Sequence, residues 1–135
     1  MREIRVQAVL DNLNTVIDFI DEVLERAECP LRTVMKINLS VEEIFVNIAS
    51  YAYAPNTGYA LIQMQELGDP KRVQITFVDE GVPYDPLAKE DPDITLSAEE
   101  RQIGGLGIYM VKKSMDNMTY EYKDNKNILT IEKNI

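Results

Sequence analysis

The sequence predicts an α+β domain, a two-layer α/β sandwich in which helices cover one face of a mostly antiparallel, mixed sheet. Segments that alternate like strands come in adjacent pairs joined by short turns, and segments with helical spacing stand apart from them along the chain. The chain has 135 residues, 45 % of them hydrophobic, which fits a single domain over residues 1–135 with one core.

Three helices are expected from the spacing of apolar residues. The first covers residues 10–27, with Asp11 as its N-cap and a Cys-Pro pair after its end. The second runs from about residue 31 to 53. The third opens at a glycine cluster and runs to about Met115.

Five strands are expected from alternating hydrophobicity. They cover residues 3–9, 59–67, 71–79, 117–123 and 127–133. Short turns at 68–70 and 124–126 join the second to the third strand and the fourth to the fifth. Residues 80–103 lack periodic hydrophobics and are rich in proline and acidic residues, which is typical of a functional or disordered loop.

Composition excludes several kinds of chemistry. The chain contains no histidine, which excludes Ser-His-Asp and Cys-His catalysis and histidine-ligated zinc. The net charge of −9 argues against nucleic acid as a partner. The single cysteine cannot form an internal disulfide, and neither a signal peptide nor an apolar run of about 20 residues is found. These features favour a cytoplasmic protein with no membrane partner.

The first candidate site lies on the second helix. Glu43 and Asn47 are four residues apart, so they share one helix face. Asn47 sits at the margin of an apolar stripe, where a buried amide needs partners, and a divalent cation such as Mg²⁺ is one such partner. The alternative is that both residues are ordinary solvated surface side chains.

The second and third candidates flank the long loop. Asp79 ends a buried strand and could accept a hydrogen bond from a ligand amine, and Gly81 allows a close backbone approach. Gly104, Gly105 and Gly107 open the third helix, where free backbone amides bind phosphate readily. An ordinary Asp-x-Gly turn and a steric role for the glycines are the alternatives.

The order and spacing of these motifs resemble those of the GHKL ATPase superfamily. The stretches "DEGVPYDP" and "GGLGIYMVKKSMDNMTYE" resemble more narrowly the bacterial anti-sigma factor serine/threonine kinases, over roughly residues 3–133. The resemblance implies a Bergerat fold that holds ATP and Mg²⁺ under a mobile lid formed by residues 85–103. It further implies that the protein holds a sigma factor and phosphorylates a serine or threonine of an anti-sigma-factor antagonist. A homodimer is expected as well, with the first helix as the candidate dimer surface; the alternative is that the apolar positions of this helix belong to the core.

Residue roles follow from the same resemblance. It implies Glu43 as the general base, Asn47 as the Mg²⁺ ligand, and Asp79 as the acceptor for the adenine amino group. Gly81 would let the base lie close, and Gly104, Gly105 and Gly107 would cradle the phosphates.

Two departures from the superfamily pattern stand out. Pro83 replaces the second glycine of Asp-x-Gly-x-Gly, and Tyr51 stands where relatives often carry histidine. The lid carries few cations, and the sequence does not decide between Lys89 and Arg101 as the phosphate contact. A nucleotide-gated protein-binding module without kinase activity is the alternative function.

Overall fold

The computed structural model describes residues 1–88 and 105–135, and these form three α-helices and five strands in the predicted order. The α-helices are α1 (Leu13–Arg26), α2 (Leu31–Asn47) and α3 (Gly105–Ser114). The strands are β1 (Arg2–Gln7), β2 (Tyr59–Leu67), β3 (Arg72–Asp79), β4 (Asn117–Lys123) and β5 (Lys126–Asn134). Two short elements extend the helices: a 3-10 turn (Leu10–Asn12) before α1 and a π-helical turn (Ile48–Ala52) after α2.

The five strands form one open sheet in the order β1-β2-β3-β5-β4, and every pair among them is antiparallel. The β2–β3 and β4–β5 pairs are the predicted hairpins. The chain leaves β3 and returns through α3 to the sheet edge, so β5 lies between β3 and β4. This arrangement sets the end of β3 beside the start of β5, where the candidate site lies.

One face of the sheet and the three helices share a single core. Alternate residues of β3 are buried, with Val73, Ile75 and Phe77 each only 1 % exposed. They form one cluster with buried residues of α1 and α2, such as Ile20 and Phe45. Burial of each such side chain stabilises the fold by about 1.5–3 kcal/mol. The predicted α+β architecture with helices on one face is therefore confirmed, although the described sheet is wholly antiparallel rather than mixed.

The opposite face of the sheet carries polar side chains that bond across the strands. Gln74 donates to Glu132 at 3.1 Å, Arg72 donates to the same carboxylate at 2.8 Å, and the Thr76 and Thr130 hydroxyls lie 3.2 Å apart. Such cross-strand pairs stabilise a sheet whose outer face meets water.

The prediction for the start of the first helix is wrong in one detail. Asp11 lies inside the 3-10 turn, and the N-cap of α1 is Asn12, whose side chain makes no capping hydrogen bond. The Asn12 side chain donates instead to the Gln7 carbonyl at 2.8 Å, which ties the turn to the end of β1.

Candidate functional site

A cavity of about 500 Å³ lies between the helix layer and the end of the sheet where β3 stops. This volume is within the range of ordinary small-molecule sites. Its lining is largely apolar and aromatic, with a few polar groups: Ile44, Asn47, Ile48, Tyr51, Ala52, Phe77, Asp79, Val82, Pro83, Tyr84, Pro86, Ile108, Tyr120, Asn127 and Leu129. A largely apolar ligand group with a few polar contacts suits such a lining.

Asp79 occupies the last core-facing position of β3. It continues the alternation of Ile75 and Phe77, and the antiparallel register sets it opposite Asn127 of β5. Both polar residues are 6 % exposed. The apolar core therefore ends in a buried carboxylate–amide pair at the cavity wall.

The hydrogen bonds of Asp79 leave one of its oxygens for a ligand. Oδ1 accepts from the Gly81 backbone N–H and from Asn127 Nδ2, both at 2.9 Å. Oδ2 accepts no hydrogen bond from the described residues. Burial raises the pKa of the Asp79 carboxyl above its ordinary value, and the two hydrogen bonds on Oδ1 oppose that shift. A donor group on a ligand in the cavity could therefore bond to Oδ2.

Close packing against the backbone of Ala52 requires a glycine at position 81, and the sequence did not reveal this contact. A Cβ at this position would overlap the backbone carbonyl of Ala52. The next amide, Val82 N–H, donates to that carbonyl at 2.9 Å. The segment after β3 is thus held against the turn that follows α2, and both line the cavity.

Asn127 is the most highly bonded polar residue that the sequence analysis missed. Its Nδ2 donates to Asp79 and, at 2.9 Å, to the Val82 carbonyl, while its Oδ1 accepts from the Tyr84 backbone N–H at 3.1 Å and from the Tyr120 hydroxyl. A polar residue in phase with the buried Leu129 and Ile131 was the available signal.

Tyr53 was missed as well. Its hydroxyl donates to the Tyr59 carbonyl at 2.6 Å and accepts from the Glu80 backbone N–H at 2.7 Å. One side chain therefore connects the turn after α2, the start of β2 and the segment after β3. Burial raises the pKa of the Tyr53 hydroxyl above its ordinary value.

Glu43 and Asn47 lie one turn apart near the end of α2, as predicted. Asn47 Nδ2 donates to Glu43 Oε1 at 3.5 Å, and both residues are partly buried rather than solvated. Asn47 lines the cavity together with Asp79. The structure therefore brings the first two candidate groups to one site.

The third candidate group, the glycines at the start of α3, also lies at this site, as the position of Gly107 indicates. Gly107 lies in the first turn of α3, and a Cβ at this position would overlap the carboxylate of Glu43. Gly105 is the first residue of the same helix. Gly104, Lys89 and Arg101 lie outside the described residues, as does the predicted lid beyond residue 88.

Exchange of Gly107 for alanine is expected to displace the Glu43 carboxylate at little cost in stability. Alanine favours a helix over glycine by about 0.8–1.0 kcal/mol, and the overlapped atoms belong to the end of a flexible side chain. The matched control is Gly68→Ala, where a Cβ meets nothing within 4 Å. We expect similar melting temperatures for the two variants, but a loss of any Glu43-dependent activity only in Gly107→Ala. Equal activity of the two variants would contradict the importance of this contact.

The cavity offers few protein ligands for a metal ion, so it suits a cation whose other ligands come from a bound nucleotide and from water. The described residues contain no group of three or more acidic, cysteine or histidine side chains that could hold a metal alone. Asn47 commits its Nδ2 to Glu43, and its amide oxygen accepts no hydrogen bond from the described residues. Mg²⁺ in nucleotide sites takes one or two protein ligands and completes its shell with phosphate and water, so one amide oxygen is sufficient.

Comparison with protein families identifies the domain. The family described as the histidine kinase-like ATPase domain matches residues 6–133, nearly the whole chain. The chain belongs to this family. Membership in a histidine kinase-like ATPase family implies ATP as the ligand, which agrees with a cavity that combines a largely apolar lining with the Asp79 carboxylate. None of the described helices is long and apolar enough to cross a bilayer.

One similar protein is a kinase by name. The chain is 26 % identical over 113 residues to the serine/threonine-protein kinase BtrW of Bordetella bronchiseptica, covering 84 % of this chain and 79 % of BtrW. This similarity agrees with the resemblance to serine/threonine kinases that the sequence motifs indicated.

Solved structures share the fold. The structure of the RsbU and RsbW domains of Rv1364c from Mycobacterium tuberculosis matches 99 % of this chain with a TM-score of 0.67 and 13 % identity. This chain spans only 32 % of that protein. The SiaB–SiaC complex from Pseudomonas aeruginosa matches 98 % of this chain and 89 % of the matched chain, with a TM-score of 0.60 and 13 % identity. At such identities these likenesses concern the fold alone.

Proposed function

We propose that this protein is an ATP-dependent anti-sigma factor. It holds a sigma factor and transfers the γ-phosphoryl group of ATP to a serine or threonine of an anti-sigma-factor antagonist. The observation that carries the proposal is the meeting of Asp79 and Asn47 in one cavity, with Glu43 beside it. The similarity to BtrW, which is named a serine/threonine-protein kinase, supports the same reaction.

The two parts of the nucleotide meet different residues in this proposal. Asp79 Oδ2 accepts a hydrogen bond from the adenine amino group, and the backbone at Gly81 lies close to the base. Gly105 and Gly107 at the start of α3, together with Gly104, which precedes them in the sequence, bind the phosphates through backbone amides. The position of Gly105 and Gly107 in the first helical turn supports this role, because amides there lack intrahelical partners.

The chemistry is mainly positioning and charge stabilisation. The Asn47 amide oxygen would hold Mg²⁺, which neutralises charge on the phosphates when bound. Glu43 accepts the proton of the attacking serine or threonine hydroxyl, whose oxygen forms a bond to the γ-phosphorus. The bond between that phosphorus and the bridging oxygen breaks, and ADP leaves with the electron pair.

Protein partners fit the outer surface of α2. Leu31, Met35 and Leu39 recur every four residues and are 74 %, 59 % and 68 % exposed. A row of exposed large apolar side chains is typical of protein–protein contacts. We propose a sigma factor, an antagonist and a second copy of this chain as partners of this domain in the cytoplasm, with no role for nucleic acid or membrane.

A phosphotransfer assay tests the proposal. The protein, a purified candidate antagonist and ATP labelled at the γ-phosphate are incubated with Mg²⁺, and the modified residue is located by mass spectrometry. Label on a serine or threonine is the expected result. Nucleotide-dependent binding of the antagonist without label would favour the second candidate, a nucleotide-gated binding module, for which the ligand-sized cavity is sufficient.

A further inference from the structure

Asn127 is a buried polar side chain to which the proposed reaction gives no role. It is 6 % exposed and lies at the start of β5, opposite Asp79 in the sheet register. A buried amide at this position costs free energy unless its donors and acceptor are satisfied. Its hydrogen bonds therefore indicate what the position requires.

The surroundings of Asn127 fix which end of the amide faces Asp79. Two donors point at its Oδ1, namely the Tyr84 backbone N–H and the Tyr120 hydroxyl. An amide turned the other way would set its NH₂ group against the Tyr84 N–H, which can only donate, and its oxygen against the Val82 carbonyl, which can only accept. Nδ2 therefore faces Asp79 Oδ1 and the Val82 carbonyl, each at 2.9 Å.

The fixed amide in turn fixes Asp79. Its Oδ1 receives two donors, from Asn127 and from the Gly81 backbone, so the carboxylate cannot rotate without losing both. Oδ2 is then held as an acceptor at the cavity wall. A base that meets this oxygen must offer a hydrogen, as an exocyclic amine does.

The same amide also fixes the segment that follows β3. It bonds to Val82 and Tyr84, which line the cavity on either side of Pro83. The Asn127 side chain thus connects the Asp79 carboxylate with segment 82–84, which forms part of the cavity wall.

We propose that Asn127 is the positioning residue that gives the nucleotide site its selectivity for bases with an exocyclic amine. It acts through Asp79, which it holds as an oriented acceptor, and it keeps the segment 82–84 in register with that acceptor. This inference rests on the proposed function, in which Asp79 meets the base of a nucleotide.

A chemical cycle separates positioning from a merely structural role. The dissociation constants of ATP and of purine riboside triphosphate, which lacks the amine, are measured by calorimetry for the native chain and for Asn127→Ala. The matched control is Asn134→Ala, an exposed change at the far end of β5. Coupling between the amine and Asn127 appears as a change in the ratio of the two constants.

We expect the native chain to bind ATP about tenfold or more tightly than the analogue, as hydrogen bonds to charged groups suggest. In Asn127→Ala this preference should fall to about threefold or less, and in Asn134→Ala it should persist. Equal weakening of both nucleotides by Asn127→Ala, with the preference intact, would overturn the inference.

A milder variant tests the same inference if Asn127→Ala does not fold. Tyr120→Phe removes only the hydroxyl that donates to Asn127 Oδ1. We expect it to reduce the preference about twofold or more, because the amide is then less firmly oriented. An unchanged preference in a folded Tyr120→Phe would overturn the inference as well. A native chain that binds neither nucleotide would instead contradict the proposed function.

Discussion

Replacement of Glu43 by glutamine should slow phosphotransfer by about 10²–10⁴-fold, the usual contribution of a general base, while the dissociation constant of ATP changes little. Glutamine keeps the shape of the side chain beside Gly107 and keeps an oxygen within reach of Asn47. It removes the negative charge and with it the ability to take a proton. The rate is measured as labelled antagonist formed per unit time, and the binding by calorimetry.

The adjacent Glu42 supplies the control for this experiment. It precedes Glu43 in α2 but is exposed. Glu42→Gln removes the same charge from the same helix and should leave the rate within about twofold, since exposed surface changes usually have small effects. If Glu43→Gln transferred phosphate as fast as the native chain, or lost ATP binding together with transfer, the assignment of Glu43 as the base would be wrong.

Replacement of Asp79 by asparagine should weaken ATP binding by about tenfold to a hundredfold, the range for a lost hydrogen bond to a charged group. The two groups that donate to Asp79 determine how the substituted side chain is oriented. Asn127 and the Gly81 amide both donate to the position of Oδ1, so the new amide must place its oxygen there. Its NH₂ group then faces the cavity, where it opposes the adenine amino group, donor against donor.

Glu80 is the matched control for Asp79. It is the next residue, it is exposed, and its backbone N–H rather than its side chain contacts Tyr53. Glu80→Gln should bind ATP as the native chain does. Circular dichroism verifies that Asp79→Asn remains folded. If folded Asp79→Asn bound ATP as tightly as the native chain, the proposed role of the Asp79 carboxylate in recognising the base would be wrong.

The elements of the fold were predictable because each depends on local spacing. The alternation that ends at Asp79 and the glycine cluster before α3 both lie within short windows of sequence. The first residues of α1 were harder to predict. There Asn12 rather than Asp11 is the N-cap, and its side chain bonds to the Gln7 carbonyl at the end of β1, a contact that residue preference alone does not indicate.

The missing parts of the site are contacts between distant segments. The role of Asn127 depends on the pairing of β5 with β3, which sets it beside Asp79, 48 residues earlier in the chain. Tyr53 bonds to Glu80 across 27 residues for the same reason. The packing of Gly107 on Glu43 likewise needs α3 placed on α2. Sequence periodicity identifies which side chains are buried, but not which of them meet.

Titration of the native chain with ATP, with and without Mg²⁺, tests the central claim most directly. We expect binding that Mg²⁺ strengthens, since Asn47 would share the ion with the phosphates, and we expect Asp79→Asn to lose most of it. That result would establish a nucleotide site at this cavity. Absence of binding at about millimolar ATP, a free energy weaker than about −4 kcal/mol, would contradict it and leave the glycines of α3 with a packing role alone.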